Sequence, residues 1–271
     1  MIDLHLHTTY SDGTRTPEEL VLLTAGNYQA IAITDHDTID GINEGFLAIK
    51  NNELSLKLIT GVELSSVFQN KEVHILGYGM DLQTPELKTT LRILEEERIE
   101  RIKKTVDKLT EHGLPLEFSE LPLTGLPGRA HVARAMVKKG YVRTIDEAFK
   151  NYLTPDRPGY VPRNRLSPKA AIELIHKAKG VAILAHPGLI GLELNDSFLE
   201  NIPVDGIEVF HSAHEKALTS FYEEFANKRH LLITGGSDCH GKKGKDRELL
   251  GLVDLPKKYF DKLLEFMDGI A

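Results

Sequence analysis

The chain has 271 residues, of which 41% are hydrophobic and 27% are charged, and this composition is typical of globular rather than disordered or fibrous proteins. A net charge of -7 argues against a broad nucleic-acid-binding surface, and the single cysteine, Cys239, excludes both a disulfide framework and a thiolate zinc site. No segment has the roughly 20 consecutive apolar residues of a membrane span, and the first residues lack a targeting pattern. We therefore expect a cytoplasmic protein without a membrane partner.

The first predicted strand covers residues 1–7, where apolar and polar residues alternate and His5 and His7 share one face. A capping-box pattern that begins at Thr16 predicts that a helix follows. This order of strand and helix recurs along the chain, which indicates a parallel sheet. Further strands are predicted at 30–35, 58–63, 73–78, 181–185, 206–210 and 231–234. The turn before the fourth strand is too short for a helical crossover, so the pattern is distorted there.

The stretch from residue 86 to residue 165 differs from the rest because it is rich in charged helical segments. We interpret residues 86–165 as an inserted helical cap subdomain, and residues 1–85 with 166–271 as a barrel domain. Helices are predicted at about 40–52, 86–112, 129–139, 144–152, 167–179, 214–229 and 257–268. Seven strands with intervening helices predict a barrel-like α/β fold.

A side chain that can bind a metal stands at or near the end of each predicted strand. These side chains are His5, His7, Asp12, Asp35, His36, Glu63, His74, His186, His211, Asp238 and His240. A single histidine at a strand end is more often a hydrogen-bonded structural residue. In a parallel barrel, however, the carboxyl ends of the strands converge, and so many unpaired polar groups would be costly to bury without a metal. A nitrogen and oxygen set of this size suits Zn, Mn, Fe or Mg and exceeds one coordination sphere.

Five segments of the chain resemble the motifs of the PHP (polymerase and histidinol phosphatase) family. They are His5-Leu6-His7-Thr8-Thr9-Tyr10-Ser11-Asp12-Gly13, Thr34-Asp35-His36-Asp37, Gly61-Val62-Glu63, Ala185-His186-Pro187-Gly188 and Gly236-Ser237-Asp238-Cys239-His240-Gly241. Residues 128–134 and 208–214 are similar to the branch, RNase AM among it, that acts on nucleoside 3',5'-bisphosphates and short 5'-phosphorylated oligoribonucleotides. The resemblance implies a distorted (β/α)7 barrel, the PHP fold, with an inserted helical cap.

The resemblance also implies two or three divalent metal ions, of Mn, Fe or Zn. One ion would be held by His5, His7, Glu63 and Asp238. A second would be held by Glu63, His74 and His186, so that Glu63 bridges the pair. A third would be held by Asp12, His36 and His240. Asp35 is expected to orient a ligand imidazole rather than to bind a metal itself.

The function implied by the resemblance is phosphate ester hydrolysis by a metal-activated hydroxide. The expected substrate is a small phosphorylated molecule, a nucleoside 3',5'-bisphosphate above all, with short RNA as a further substrate and no DNA-binding surface. Catalytic roles are expected for Glu63, Asp238 and His211. Substrate binding is expected from Arg129, His131, Arg134, His211 and His214.

Several alternatives remain open at this point. His211 fits a proton donor, a phosphate ligand or a structural hydrogen bond, and His214 fits a helix cap. Arg129 and His131 also fit an ordinary helix start. The chain as a whole fits a phosphatase for another phosphomonoester such as histidinol phosphate, a metal-binding module without turnover, or a hydrolase of carbon-nitrogen bonds.

Overall fold

The computed structural model describes residues 1–123, 125–162, 166–241 and 248–270. The chain divides into two compact units, one formed by Met1–Thr90 with Arg165–Ala271 and the other by Leu91–Asn164. The first unit contains the predicted strands, and the second contains most of the predicted insertion. The first boundary lies a few residues beyond residue 86, the first residue of the predicted insertion.

The first unit is built on one sheet of seven strands among the described residues, ordered as in the chain. The strands are β1 (Ile2–Leu6), β2 (Ala30–Ile33), β3 (Lys57–Phe68), β4 (Lys71–Tyr78), β5 (Val181–Leu184), β6 (Gly206–His211) and β7 (Leu232–Gly236). Neighbouring strands pair in parallel except β4, which is antiparallel to both β3 and β5. The amide of Asp238 donates to the carbonyl of His5, and the amide of His7 donates to that of Cys239, so the segment after β7 joins β1. The predicted α/β barrel fold is confirmed.

The helices follow the predicted order closely. They are α1 (Pro17–Thr24), α2 (Ile42–Asn51), α3 (Pro85–Glu111), α4 (Arg129–Lys138), α5 (Ile145–Ala148), α6 (Pro168–Lys177), α7 (Asp196–Asn201), α8 (Lys216–Lys228) and α9 (Lys257–Ile270). The capping box at Thr16 is present at the start of α1. The six-residue helix α7 was not predicted, because it is too short to show a hydrophobic period. No helix in the described part of the chain combines the length and apolar character that a membrane span requires.

Each unit has its own hydrophobic core. In the barrel unit, Leu6 of β1 and Ile33 of β2 belong to a buried cluster with Leu20 and Val21 of α1. This cluster covers one side of the sheet, so the alternate side chains of β1 are left to face the other side. In the helical unit, buried residues of α3 and α4 pack together with the segment after α5. They are Ile102, Val106, Leu109, Val132, Met136 and Leu153.

Candidate metal centre

The alternation of β1 places its polar side chains on the inner side of the barrel. Leu6 lies in the outer core, whereas Asp3, His5 and His7 are buried without belonging to that core. Gly236 at the end of β7 lies directly against His5, since an added Cβ would stand 2.2 Å from the Cβ of His5. The two imidazoles predicted to share a face therefore occupy a tightly packed interior position.

The direction of β4 explains how His74 reaches the same place. His74 lies in the first half of β4, opposite Ser65 of β3. Because β4 is antiparallel to its neighbours, its first half lies at the edge where β3 and β5 have their carboxyl ends. The His74 Nδ1 is 2.7 Å from the Glu63 Oε1.

The carboxylate of Glu63 is the centre of the arrangement, because five imidazoles surround its two oxygens. Its Oε1 contacts His74 and lies 3.0 Å from the His186 Nε2. Its Oε2 lies 2.8 Å from the His36 Nδ1, 3.3 Å from the His7 Nε2 and 3.4 Å from the His5 Nε2. One fully buried carboxylate thus joins ring nitrogens contributed by four different segments of the chain.

Two further carboxylates extend the cluster. The Asp238 Oδ1 lies 3.1 Å from the His7 Nε2 and 3.5 Å from the His5 Nε2. The Asp12 Oδ1 lies 3.0 Å from the His240 Nε2. The His240 Nδ1 is 2.9 Å from the backbone carbonyl of Asp238; donation to that carbonyl directs the Nε2 lone pair towards Asp12, an orientation common in metal-binding histidines.

The structure brings together all nine residues that the sequence assigns as metal ligands, which we call the donor cluster. The donor cluster is His5, His7, Asp12, His36, Glu63, His74, His186, Asp238 and His240. Donor atoms lie within 4.8 Å of one another in three groups, namely His5, His7, Glu63 and Asp238; His36, Glu63 and His74; and His7, Asp12, His36 and His240. His186 is outside these groups and joins the cluster through its contact with Glu63.

The donor cluster fits divalent metal ions on the evidence of its own atoms. The His74 Nε2 is buried and has no hydrogen-bond partner among the described residues, and the Nε2 atoms of His5 and His7 face the Glu63 and Asp238 carboxylates. A buried nitrogen without a partner is costly, and a cation that accepts its lone pair removes the cost. The donors are imidazoles and carboxylates, the set that Zn, Mn and Fe accept.

The charges of the cluster are strongly coupled. Burial alone would raise the pKa of Glu63, but the imidazoles of His36, His74 and His5 hold that pKa well below its usual range. Burial would also raise the pKa of Asp238, but His5 and His240 hold that pKa well below its usual range. The opposite shift is found at His7: burial would lower its pKa, but Asp238 and Glu63 raise it to about 10. The metal-free cluster therefore keeps ionised carboxylates beside a protonated imidazole at neutral pH.

This charge state predicts that metal affinity increases with pH. A metal can bind the His7 Nε2 only after the imidazole loses its proton, and in the metal-free protein that proton is held up to a pKa of about 10. Each displaced proton should tighten binding by about tenfold per pH unit below that pKa. Titration with Mn²⁺ at about pH 6.5 and about pH 8 tests this expectation, and an affinity that does not change with pH would contradict it.

Asp35 supports the cluster indirectly. Its Oδ1 accepts a hydrogen bond of 2.7 Å from the amide of Thr8. Its carboxylate also accepts hydrogen bonds from the hydroxyls of Thr8 and Ser11. The Ser11 hydroxyl in turn lies 3.4 Å from the His7 Nδ1. Asp35 therefore fixes the loop after β1 and is connected to His7 through Ser11, and its role as an orienting residue stays a prediction.

Glu208 is a residue of the site that the sequence interpretation did not single out. It is fully buried, and its Oε1 accepts a hydrogen bond of 2.9 Å from the His5 Nδ1. Strict alternation would place Glu208 and His211 on opposite faces of β6. The register of β6 with β7 shifts between Glu208 and Phe210, and this bulge lets both side chains reach the donor cluster. A glutamate in the middle of an otherwise apolar strand was the available signal.

His211 and His214 differ in which ring nitrogen is available. The His211 Nδ1 accepts a hydrogen bond of 3.1 Å from the amide of Ala213, so the neutral ring carries its proton on Nε2. This Nε2 lies 3.7 Å from the Asp238 Oδ2. Both nitrogens of His214 bind the backbone: Nδ1 is 2.9 Å from the carbonyl of Val209, and Nε2 accepts the amide of Gly188 at 3.2 Å. His211 therefore presents an N–H beside the cluster, whereas His214 holds the turn after His186.

The predicted substrate residues of the insertion all lie in the helical unit. The Arg129 guanidinium donates to the carbonyl of Leu153 at 3.2 Å. The His131 ring is fully buried, and its Nδ1 accepts the amide of Gly128 at 3.0 Å, which closes the start of α4. Arg134 is half-buried on the same helix. Their roles in substrate binding stay predictions.

A buried carboxylate shared by imidazoles at the carboxyl ends of barrel strands, with donors for several divalent ions, is the arrangement of a metal-dependent hydrolase. Comparison with known proteins specifies the class. Residues 3–231 match the PHP domain model, and the chain belongs to the PHP family. The protein is a metal-dependent phosphoesterase, as predicted.

The similarity to individual proteins extends over most of the chain. The 5'-3' exoribonuclease Rnm of Escherichia coli is 36% identical over 248 residues, which cover 88% of this chain and 84% of that protein. The 3',5'-nucleoside bisphosphate phosphatase of Chromobacterium violaceum is 31% identical over 269 residues, which cover 94% of this chain and 92% of that protein. The crystal structure of a Bifidobacterium adolescentis protein assigned as a metal-dependent phosphoesterase matches with a TM-score of 0.88 at 28% identity, covering 98% of this chain and 96% of that one.

Proposed function

We propose that this phosphoesterase removes a phosphate from nucleoside 3',5'-bisphosphates and degrades short 5'-phosphorylated oligoribonucleotides. The observation that carries the proposal is the Glu63 carboxylate, whose two oxygens face separate sets of imidazoles and so suit two ions that share one ligand. The substrate class is supported by the relatives that are named as a bisphosphate phosphatase and an exoribonuclease.

The donor cluster would hold two or three ions of Mn, Fe or Zn. Bound divalent ions would supply Lewis acidity for the phosphoryl oxygens and a hydroxide nucleophile at neutral pH. The cluster contains three carboxylates and six imidazoles, so neutral imidazoles leave two or three divalent ions with an excess of positive charge. A phosphate dianion is the ligand that this excess favours.

His211 completes the proposed site from the protein side. Its Nε2–H is directed towards the cluster because the Ala213 amide occupies Nδ1. In this tautomer the ring can donate a proton to the departing ribose oxygen. His214 cannot share that role in its present position, since both of its nitrogens are bound to backbone atoms.

The decisive experiment measures phosphate release by the purified, Mn-loaded protein. Adenosine 3',5'-bisphosphate is compared with AMP and with histidinol phosphate, and a 5'-phosphorylated oligoribonucleotide follows. We expect fast release from the bisphosphate and slow release from the other two small substrates. Release from histidinol phosphate alone would overturn the nucleotide assignment, and no release from any substrate would overturn the catalytic proposal.

We also propose that Arg129, His131 and Arg134 bind a phosphate group of the substrate, because a guanidinium at a helix start favours phosphate. Replacing Arg129 by alanine should weaken binding of the bisphosphate more than binding of AMP. The exposed Arg143 of the helical unit, replaced by alanine, is the control. An equal loss for both ligands would remove Arg129 from this role.

A further inference from the structure

Glu208 is unusual because both of its carboxylate oxygens are engaged by the donor cluster. The Oε1 accepts a hydrogen bond from the His5 ring, and the Oε2 accepts one of 2.8 Å from the backbone amide of His186. The side chain is fully buried, so water does not compete for either oxygen. One carboxylate on β6 is thereby connected to two histidines from β1 and from the end of β5.

The contact with His5 determines which ring nitrogen faces the other carboxylates. The Nδ1–H of His5 donates a hydrogen bond to Glu208, and this contact turns Nε2 towards Glu63 and Asp238, at 3.4 and 3.5 Å. A carboxylate that binds the distal nitrogen fixes the tautomer and the orientation of a metal-binding imidazole and increases its basicity. The orientation of the His5 ring is thus fixed before any ion arrives, and Nε2 is the nitrogen that an ion can bind.

The contact with His186 acts on the backbone. His186 has a φ of 27°, a positive value that is uncommon for any residue except glycine and requires support from its surroundings. The Glu208 carboxylate holds the amide of this residue, and the His186 Nε2 lies 3.0 Å from the Glu63 Oε1. Without that acceptor, the amide of this strained residue would lose its partner, and the ring would lose its fixed direction.

We propose that Glu208 is a positioning residue that sets the metal affinity of the site by holding His5 and His186 at the same time. This inference rests on the proposed metal centre and adds to it a residue outside the donor cluster. Glu208 couples two ligands that the resemblance assigns to different ions. Loss of Glu208 should therefore weaken the binding of more than one ion.

The variant Glu208→Gln tests this proposal with almost no change in volume. Its amide has one accepting oxygen and one donating nitrogen. If the oxygen keeps the His186 amide, the His5 Nδ1–H either faces a donor or the ring moves its proton to Nε2, where it blocks a metal. We expect Mn²⁺ affinity to fall by about 10- to 100-fold, with fewer ions retained after dialysis, while the circular dichroism spectrum stays that of the wild type.

The matched control is Asp205→Asn. Like Glu208, Asp205 accepts one hydrogen bond from a histidine ring and one from a backbone amide. The donors are the His176 ring at 2.8 Å and the Ala182 amide of β5 at 2.7 Å. Asp205 contacts no residue of the donor cluster. Asp205→Asn should lower the melting temperature and leave Mn²⁺ affinity unchanged. If Glu208→Gln also lowers only the melting temperature, Glu208 is a stabilising residue and the proposal is wrong.

A measurement on the wild type keeps the proposal testable should the variant unfold. In the Zn-loaded protein, the nitrogen-15 spectrum of the histidine rings should show His5 with its proton on Nδ1. A proton on Nε2 would overturn the role of Glu208 while leaving the metal centre in place. Failure of the wild type to bind Mn²⁺ or Zn²⁺ would instead remove the metal centre itself, and this inference with it.

Discussion

Replacing Glu63 by glutamine is expected to abolish turnover and to empty the metal centre. The carboxylate contacts five imidazoles through two oxygens, whereas a glutamine offers one accepting oxygen and turns an N–H group towards the others. Both ions that share Glu63 lose a charged ligand at once. The loss of activity should exceed the roughly 100-fold effect of residues that only orient a ligand. Phosphate release and bound Mn²⁺ measure the two consequences.

The control for this variant is Glu173→Gln, an exposed glutamate on α6 that should keep full activity and full metal content. Glu63→Gln should also unfold more easily, since removal of one partner from a buried set of coupled charges costs about 3 to 5 kcal/mol. A circular dichroism spectrum at low temperature distinguishes a folded, metal-free variant from an unfolded one. A folded variant with full metal content and full activity would show that Glu63 bridges no ions.

Most of the donor cluster could be predicted because residues at corresponding positions of successive strands come together in a barrel. His5 and His7 follow from alternation in β1. His36 and His186 come after the carboxyl ends of β2 and β5, and Glu63 lies where the parallel pairing of β3 with the β2 segment ends. Once the strands are taken as parallel, these residues must meet at one edge of the sheet. The prediction needed only local patterns and one rule about topology.

The remaining features depend on turn geometry, strand pairing and side-chain contacts that the hydrophobic pattern does not show. The direction of β4, which places His74 in the site, is set by a hairpin turn rather than by the composition of the strand. The bulge in β6, which turns both Glu208 and His211 inward, depends on pairing with β7. His131 illustrates the same limit, because the sequence did not show that one of its ring nitrogens closes the start of α4.

Replacing His211 by asparagine is expected to slow the reaction without removing metal. The Nε2–H of His211 lies beside Asp238, and the ring makes its other hydrogen bond to the amide of Ala213, so the side chain is held ready to donate a proton. Loss of a general acid typically costs about 100- to 10,000-fold. The cost should appear in kcat for a nucleoside bisphosphate, whose leaving ribose oxygen needs a proton, while bound Mn²⁺ stays at the wild-type level.

The leaving group separates proton donation from the other roles open to His211. A nitrophenyl phosphate leaves as a stable anion, so its hydrolysis should be slowed far less by His211→Asn than hydrolysis of the bisphosphate. An equal loss on both substrates would instead indicate a phosphate ligand, and a loss of bound Mn²⁺ would indicate a structural role. His230→Asn is the matched control, because His230 is exposed and its φ of 56° is one that asparagine tolerates. A loss of activity on the bisphosphate alone, which has the poorer leaving group, would identify His211 as the residue that protonates the departing oxygen.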